Sequence, residues 1–160
     1  MSSDYMSSFT DSHPTMRLAT FCKMVLLDHQ AKGLSLIGVM DSINLHIEGR
    51  VDTPSVIDFF MQDFCLYASF NAPQKRLSDV TITTELKSSD LPALKMEPTD
   101  SLVKFTEGKE TGNLTVRMDG MRIPIPVKDG TYTIDAKWSV GPKVLGRLSL
   151  PIRVEVVKPE

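Results

Sequence analysis

Alternation of apolar and polar residues recurs along most of the chain after residue 16, and it predicts β-strands. The clearest case is segment 131–138, whose apolar positions are Tyr132, Ile134, Ala136 and Trp138. Gly130 precedes this segment and Gly141-Pro142 follows it, which are turn signals at both ends. The same alternation in four other segments predicts further strands, over residues 64–70, 80–87, 114–118 and 152–156.

The first part of the pattern predicts a β-hairpin. Residues 18–27 are apolar at both parities, as in a strand covered on both faces, and the polar stretch 28–33 ends in Gly33. Segment 34–40 then reads as the return arm, and we expect it to continue through Ile43, Leu45 and Ile47. Near the C-terminus, residues 144–150 are expected to pair with the Trp138 strand across Gly141-Pro142.

Helical periodicity is nearly absent from the sequence. Thr53-Pro54 could begin one short helix over Ser55 to Met61, although an irregular loop there is equally compatible with the sequence. About eight short strands separated by turn signals favour an antiparallel sandwich or barrel over a βαβ fold. Of these, we predict an all-β, two-layer antiparallel β-sandwich of immunoglobulin-like type.

The pattern divides the chain into a tail and one domain. Residues 1–16 are polar and Ser-rich without either hydrophobic period, which predicts a flexible N-terminal tail. Residues 17–160 are enough for a single β-sandwich domain with its own core. That core is expected to include five residues, namely Phe21, Leu36, Leu66, Ile134 and Trp138.

Composition removes several classes of partner. The formal net charge of −2 gives no long-range attraction to nucleic acid or to anionic lipid. Apolar runs such as Met24–Leu27 fall far short of the roughly twenty residues of a membrane span. The N-terminal residues lack the basic start and apolar stretch of a secretory signal, so a cytoplasmic location is expected, with Cys22 and Cys65 as reduced thiols.

Two stretches also resemble an uncharacterised family of small bacterial β-sandwich proteins, catalogued only as a domain of unknown function. They are FCKMVLLDHQAKGLSLIGVMDSINL and GNLTVRMDGMRIPIPVKDGTYTIDA, and the likeness spans roughly residues 18 to 157. The resemblance implies a β-sandwich and a cytoplasmic setting. It implies no activity, cofactor or catalytic residue.

The side chains that could carry out catalysis or bind a metal form no recognisable constellation. The histidines His13, His29 and His46 lack metal-ligand spacing, and His13 falls in the predicted tail. Cys22 with His29 is the one pair worth testing as a nucleophile and base, but a strand position suits an inert core thiol, and the same holds for Cys65. Neither Ser35 nor Ser42 lies in a Gly-x-Ser-x-Gly motif. We therefore predict no catalytic, cofactor-binding or metal-binding residues.

The loops and aromatic residues give weaker signals. Asp90, Glu97 and Asp100 share one loop but match no calcium-binding pattern, and residues 108–112 lack the ending of a phosphate loop. Asn113-Leu114-Thr115 is interpreted as a chance match to a glycosylation site. Tyr132 and Trp138 are expected in the core, whereas Tyr67 is the better candidate for an exposed aromatic.

Two functional hypotheses follow, and an enzyme is not expected. The first is a non-catalytic interaction or accessory module that contacts an unknown protein partner, or a second copy of itself, through edge strands. The alternative is small-ligand or carbohydrate binding at the end loops, especially 28–33, 88–100 and 107–113.

Overall fold

The computed structural model describes residues 14–28, 33–71, 79–88, 92–96, 100–105, 111–118 and 121–160. These ranges hold thirteen strands, β1 to β13 in chain order: Thr15–Cys22, Met24–Asp28, Gly33–Ile37, Ile43–Glu48, Val56–Met61, Cys65–Asn71, Thr81–Lys87, Leu94–Met96, Asp100–Phe105, Thr111–Arg117, Met121–Pro126, Gly130–Val140 and Lys143–Val157. The described chain is all-β, as predicted, and its sheets do not close into a barrel.

The described strands form four sheets. A four-stranded sheet has the order β1-β6-β10-β9, and a five-stranded sheet has the order β4-β13-β12-β7-β8. The two remaining sheets are strand pairs, β5 with β11 and β2 with β3. All pairings are antiparallel except that of β4 with β13, which is parallel and departs from the predicted antiparallel arrangement.

The β12–β13 hairpin is the longest element, and its pairing across Gly141-Pro142 is confirmed. Gly141 has a φ of 54°, and a positive φ followed by the fixed φ of proline suits a type II′ turn. A bulge follows at Trp138/Ser139, close to Gly146. A Cβ on Gly146 would overlap the thioether of Met16, so this glycine lets β1 approach β13 closely.

The two larger sheets share one hydrophobic core, called here the main core. Alternate residues of β6, β10, β12 and β13 supply most of it, namely Leu66, Ala68, Phe70, Leu114, Val116, Tyr132, Ile134, Ala136, Trp138, Leu150, Ile152 and Val154. The predicted core positions of Phe21, Leu66, Ile134 and Trp138 are confirmed. Leu36 is only partly buried and packs elsewhere, against the second cluster described below.

The sequence interpretation of residues 55–61 is wrong. Residues 56–61 form neither a helix nor a loop but strand β5, which pairs with β11 in full register from Val56↔Pro126 to Met61↔Met121. The prolines of β11, at 124 and 126, are two residues apart, so both missing N–H groups point to the same side of the strand. Such a strand can pair on its other side only, which explains how a proline-rich segment forms an edge strand.

The strand count exceeds the predicted eight because two long apolar stretches are divided and because β5, β8, β9 and β11 were not predicted, whereas the two strands predicted over 144–150 and 152–156 form the single strand β13. Residues 18–27 break at Lys23 into β1 and β2, and β1 pairs with β6 rather than with the return arm. The return arm ends at Gly38, whose φ is 63°, and β4 crosses to the five-stranded sheet instead of continuing the hairpin. At the N-terminus β1 begins at Thr15, two residues before the predicted start, and residues 1–13 of the predicted tail lie outside the described residues.

Candidate interaction surface

The β2–β3 hairpin, called here the arm, carries apolar side chains on both faces. Its inner face places Val25 and Leu36 against a second cluster of buried side chains, namely Cys22, Cys65 and Tyr67. Its outer face exposes Met24, Leu26 and Ile37, each between 43% and 45% accessible to solvent. Met24 and Ile37 are direct cross-strand partners, so these apolar groups form one continuous patch.

A tight connection fixes the base of the arm to β1. The Lys23 N–H donates to the carbonyls of Ile37 and Gly38 at 3.0 and 3.2 Å, and the Met40 N–H donates to the Phe21 carbonyl at 2.8 Å. A Cβ on Gly38 would lie 2.8 Å from Lys23 Cγ, so both the positive φ and the close side chain require glycine here. Lys23 and Gly38 therefore set the direction in which the arm leaves the sheet.

An open apolar groove of about 460 Å³ lies beside this base. Its apolar lining comes from β5, the start of β4 and the segments next to them, and comprises Met40, Ile43, Phe59, Phe60, Met61 and Phe64. Phe64 is buried and stacks on Phe21 with ring centroids 5.3 Å apart, which anchors the groove to the main core. Phe60 is 48% exposed, an unusual position for a phenyl ring with no covering partner.

The groove is bordered by two strands that each pair on one side only among the described strands. β5 pairs with β11, and β4 is the outermost strand of the five-stranded sheet next to β13. Among the residues whose side chains the structure describes, β4 and β5 contribute to the lining of the groove, whereas β11 and β13 contribute none. Unpaired strand edges present backbone donors and acceptors to an incoming strand.

Lys23, Gln62 and Asp63 are the polar residues of the groove. Asp63 has a φ of 50°, a left-handed conformation that aspartate tolerates better than most residues, and it turns the chain between β5 and Phe64. Within the described residues neither Lys23 nor Asp63 forms an ion pair. The groove therefore offers one cation and one anion to a partner.

The two cysteines are core thiols, as predicted. Cys22 and Cys65 are cross-strand neighbours on β1 and β6, and both are buried and not joined by a disulfide. Burial raises the pKa of the Cys22 thiol to about 11, and the neighbouring Cys65 adds to the rise. Because the thiolate is the reactive form, Cys22 is a poor nucleophile near neutral pH, and its predicted partner His29 lies outside the described residues.

The prediction that Tyr67 is exposed is wrong. Its side chain is only 6% exposed because the arm covers that face of β6, and burial raises the pKa of its hydroxyl. The hydroxyl donates to Oδ1 of Asn113 at 2.8 Å. Asn113, read in the sequence as a chance glycosylation match, thus has a structural role as the acceptor for a buried phenol.

The other candidate residues form no shared cluster in the described ranges or lie outside those ranges. His46 Nδ1 is 3.1 Å from Glu155 on the exposed surface of the five-stranded sheet. Ser42 donates to Asp41 at 3.2 Å, and Ser35 lies opposite Leu26 on the arm. His13, Asp90, Glu97 and residues 108–110 lie outside the described residues. In the part of the chain that the structure describes, no three His, Cys, Asp or Glu side chains are grouped to hold a metal ion.

A contrasting polar surface, called here the polar face, covers β7, β12 and β13. Lys87 Nζ lies 3.3 Å from Asp135 and 3.4 Å from Glu85, and Ser149 donates to Asp135 at 2.6 Å. The hydrogen bond to Asp135 is the main cause of a raised Lys87 pKa. The shallow depression on this face holds about 80 Å³. Lys87, Glu85 and Asp135 are thus paired with one another, whereas the cross-strand neighbours Lys137 and Arg147 form no ion pair within the described residues.

One small apolar pocket lies near the β7–β8 connection. It holds about 170 Å³ and is lined by Leu86, Ser88, Pro92, Leu94, Pro124 and Tyr132. Sites for drug-sized ligands usually hold roughly 300 to 1,000 Å³. The pocket is therefore too small for most sugars or cofactors.

The groove was not predicted from the sequence, although one signal for it was present. Adjacent Phe59 and Phe60 must point to opposite faces of a strand, so burial of one leaves the other for a different contact. Lys23 and Met40 could not have been assigned to the same site, because only the fold brings them next to β5.

Comparison of the chain with protein-family models, with curated proteins and with solved structures finds no match. The described residues include no helix that is long and apolar enough to cross a membrane.

Proposed function

We propose that this protein is a non-catalytic interaction module that binds an extended protein segment in the groove between β4 and β5. The observation that carries this proposal is the groove itself. It holds about 460 Å³, its lining is mainly apolar, and Phe60 within it is half exposed to solvent. The two strands beside it each pair with only one other described strand. Strand addition to a sheet edge supplies backbone hydrogen bonds, while neighbouring apolar positions supply specificity. Both elements of that binding mode are present here.

Further parts of the proposal are supported by the same features. An immunoglobulin-like sandwich would account for two sheets that share one core, and a cytoplasmic location is compatible with two buried cysteines that are not joined by a disulfide. The absence of a catalytic role is supported by a Cys22 thiol that stays protonated at neutral pH. The balanced charge favours a protein partner over nucleic acid. The likeness to the uncharacterised bacterial family stays a prediction.

The alternative, ligand binding at the end loops, is not carried forward. Residues 29–32, 89–91, 97–99 and 107–110 of the predicted loops lie outside the described residues, and parts of the other residues form strands: 94–96 are β8, Asp100 begins β9 and Thr111 begins β10. The pocket that Ser88 helps to line is small. The loop hypothesis therefore stays a prediction from the sequence.

Affinity capture with a matched pair of variants tests the proposal. Wild-type protein with one affinity tag is expressed together with a copy that carries a different tag, and the first tag is used for capture under native conditions. We expect one protein, either the second copy or another protein, to be captured in stoichiometric amount. Phe60→Lys should lose that partner, because a charge would enter the apolar groove, whereas Thr83→Lys on the polar face should keep it. A partner retained equally by both variants, or no stoichiometric partner at all, would contradict the proposed function.

A further inference from the structure

We infer that the segment bound in the groove is the arm of a second copy of this chain. Each of two molecules places the outer face of its arm in the groove of the other while the inner face stays on its own second cluster, an arrangement called here reciprocal exchange. This inference rests on the proposed function and names the partner of the same groove. It is carried by three independent features of the described residues, namely the uncovered face of the arm, the match between arm and groove, and the charges beside the groove.

The first feature is that the sheet beneath the arm covers only the inner face of the arm and leaves the outer face exposed. Val25 and Leu36 already pack on the second cluster of the same chain. Neighbouring residues along a strand point to opposite faces, so Met24, Leu26 and Ile37 point away from that sheet. A continuous apolar patch of this kind is typical of a contact with another molecule.

The second feature is a match in length and chemistry. β2 and β3 have five residues each and β5 has six, so an arm strand placed along β5 would pair over nearly its whole length. Among the described strands each arm strand also pairs on one side only. The exposed Met24, Leu26 and Ile37 would meet the exposed Phe60 and the half-buried Met40 and Phe59. Flexible methionine side chains adapt well to aromatic surfaces.

The third feature is that the groove is self-complementary in charge. A two-fold interface brings the same patch of both molecules together. If one residue of the first copy contacts a second residue of the other copy, the same contact is therefore formed a second time with the two copies interchanged. Lys23, at the base of the arm, and Asp63, at the end of β5, are the charged groove residues and have opposite signs. In a reciprocal exchange, Lys23 of each copy would meet Asp63 of the other.

Sedimentation velocity and light scattering of the purified chain test this inference. We expect wild type to have twice the 17.8 kDa mass of the chain at micromolar concentrations. Ile37→Lys on the arm and Phe60→Lys in the groove should each raise the dimer dissociation constant by at least about tenfold. Val144→Lys, at a similarly exposed apolar position near the Gly141-Pro142 turn, should leave the dimer unchanged. Unchanged circular dichroism and melting curves would show that the variants fold.

Mixing the two variants separates exchange from general surface stickiness. A homodimer of either variant has no intact arm–groove contact, whereas a mixed dimer has one, formed by the intact arm of Phe60→Lys and the intact groove of Ile37→Lys. We therefore expect the mixture to recover dimer that neither variant forms alone. Failure of the mixture to associate, in the presence of folded variants and a wild-type dimer, would contradict reciprocal exchange.

A charge swap tests the two-fold arrangement. Lys23→Glu and Asp63→Lys should each weaken the dimer by placing like charges together, and the double variant should restore it. Lys23→Glu keeps the Cβ and Cγ that pack beside Gly38, so the base of the arm is retained. Equal weakening in the single and double variants would contradict the pairing.

The result for wild type distinguishes failure of this inference from failure of the proposed function. A wild-type monomer at all these concentrations would overturn the inference. If another protein were then captured by wild type and lost by Phe60→Lys, the proposed function would stand with a different partner. If no groove-dependent partner were captured either, both would fall.

Discussion

The main core and the second cluster differ in size and in what encloses them. The main core is formed by two sheets of four and five strands and includes the fully buried Trp138. The second cluster has three buried residues and is covered mainly by two half-buried side chains of the arm, Val25 and Leu36. A large core enclosed by sheets sets global stability, whereas a small cluster under a two-stranded hairpin sets local stability. The difference suggests that the fold is supported by the main core and the contact surface by the second cluster.

The largest effect is expected from breaking the main core at Trp138. Trp138→Ala should lower the free energy of unfolding by about 3 to 5 kcal/mol, because it leaves a cavity between the sheets. Trp138→Phe should cost clearly less, since the buried indole N–H has no hydrogen-bond partner among the described residues and its removal relieves that desolvation cost. Urea denaturation compares the two. Equal losses would contradict this interpretation of the core.

A smaller effect is expected from the second cluster. Leu36→Ala should lower the free energy of unfolding by about 1 to 2 kcal/mol, below the usual loss for a fully buried leucine, because Leu36 is half-buried. Amide exchange in residues 24–26 and 35–37 should accelerate, while exchange in β12 should change less. Ser35 lies on the outer face of the arm, so Ser35→Ala is the control. It should alter neither the free energy of unfolding nor the amide exchange rates. Equal acceleration in β12 would show that the arm and the main core unfold together.

The thiols of the second cluster predict a pH dependence. The folded pKa of Cys22 is raised from 9.0 to about 11, so the folded state holds this proton more tightly than the unfolded state. The contribution of this proton to the free energy of unfolding is fully present below pH 9.0 and is lost as the pH rises toward about 11. Denaturation curves of wild type and Cys22→Ala across that window should converge toward high pH. Parallel curves would contradict a buried, protonated Cys22.

The smallest effect on stability is expected on the polar face. Asp135→Asn removes the main partner of Lys87, so the pKa of Lys87 should fall toward its ordinary value, which NMR titration can follow. The pair is exposed and screened by water, so the unfolding free energy should hardly change and the change should vanish in high salt. A large loss that persists in high salt would show that the polar face contributes more to stability than exposure suggests.

Sequence patterns identified the strands whose side chains alternate regularly and whose ends carry turn residues. β12 is the clearest example, because Tyr132 to Trp138 keep one parity and Gly141 fixes the turn. β5 was missed because Thr53-Pro54 suggested a helix start, and β11, which contains prolines at 124 and 126, was not predicted as a strand. The pairing of those strands depends on where each proline's missing N–H points, which local sequence does not specify.

The candidate surface was less predictable than the fold, since exposure is a tertiary property. The alternation along β6 correctly places Tyr67 and Leu66 on opposite faces of the strand. Only the position of the arm decides that the face with Tyr67 is covered. Likewise, Phe60 is exposed because it lies on the face of β5 opposite to Ile57 and Phe59, which pack against the main core. Edge strands were predicted as the contact sites, but which edges remain open could not be read from the sequence.

Hydrogen–deuterium exchange on wild type at high and low micromolar concentration tests most directly whether the arm and the groove form the contact surface. At the higher concentration we expect slower exchange in residues 24–26, 35–37 and 59–61, with no change in residues 83–87, 135–137 and 147–149 of the polar face. Protection confined to the polar face, or a dimer without protection in the arm and β5, would contradict the account.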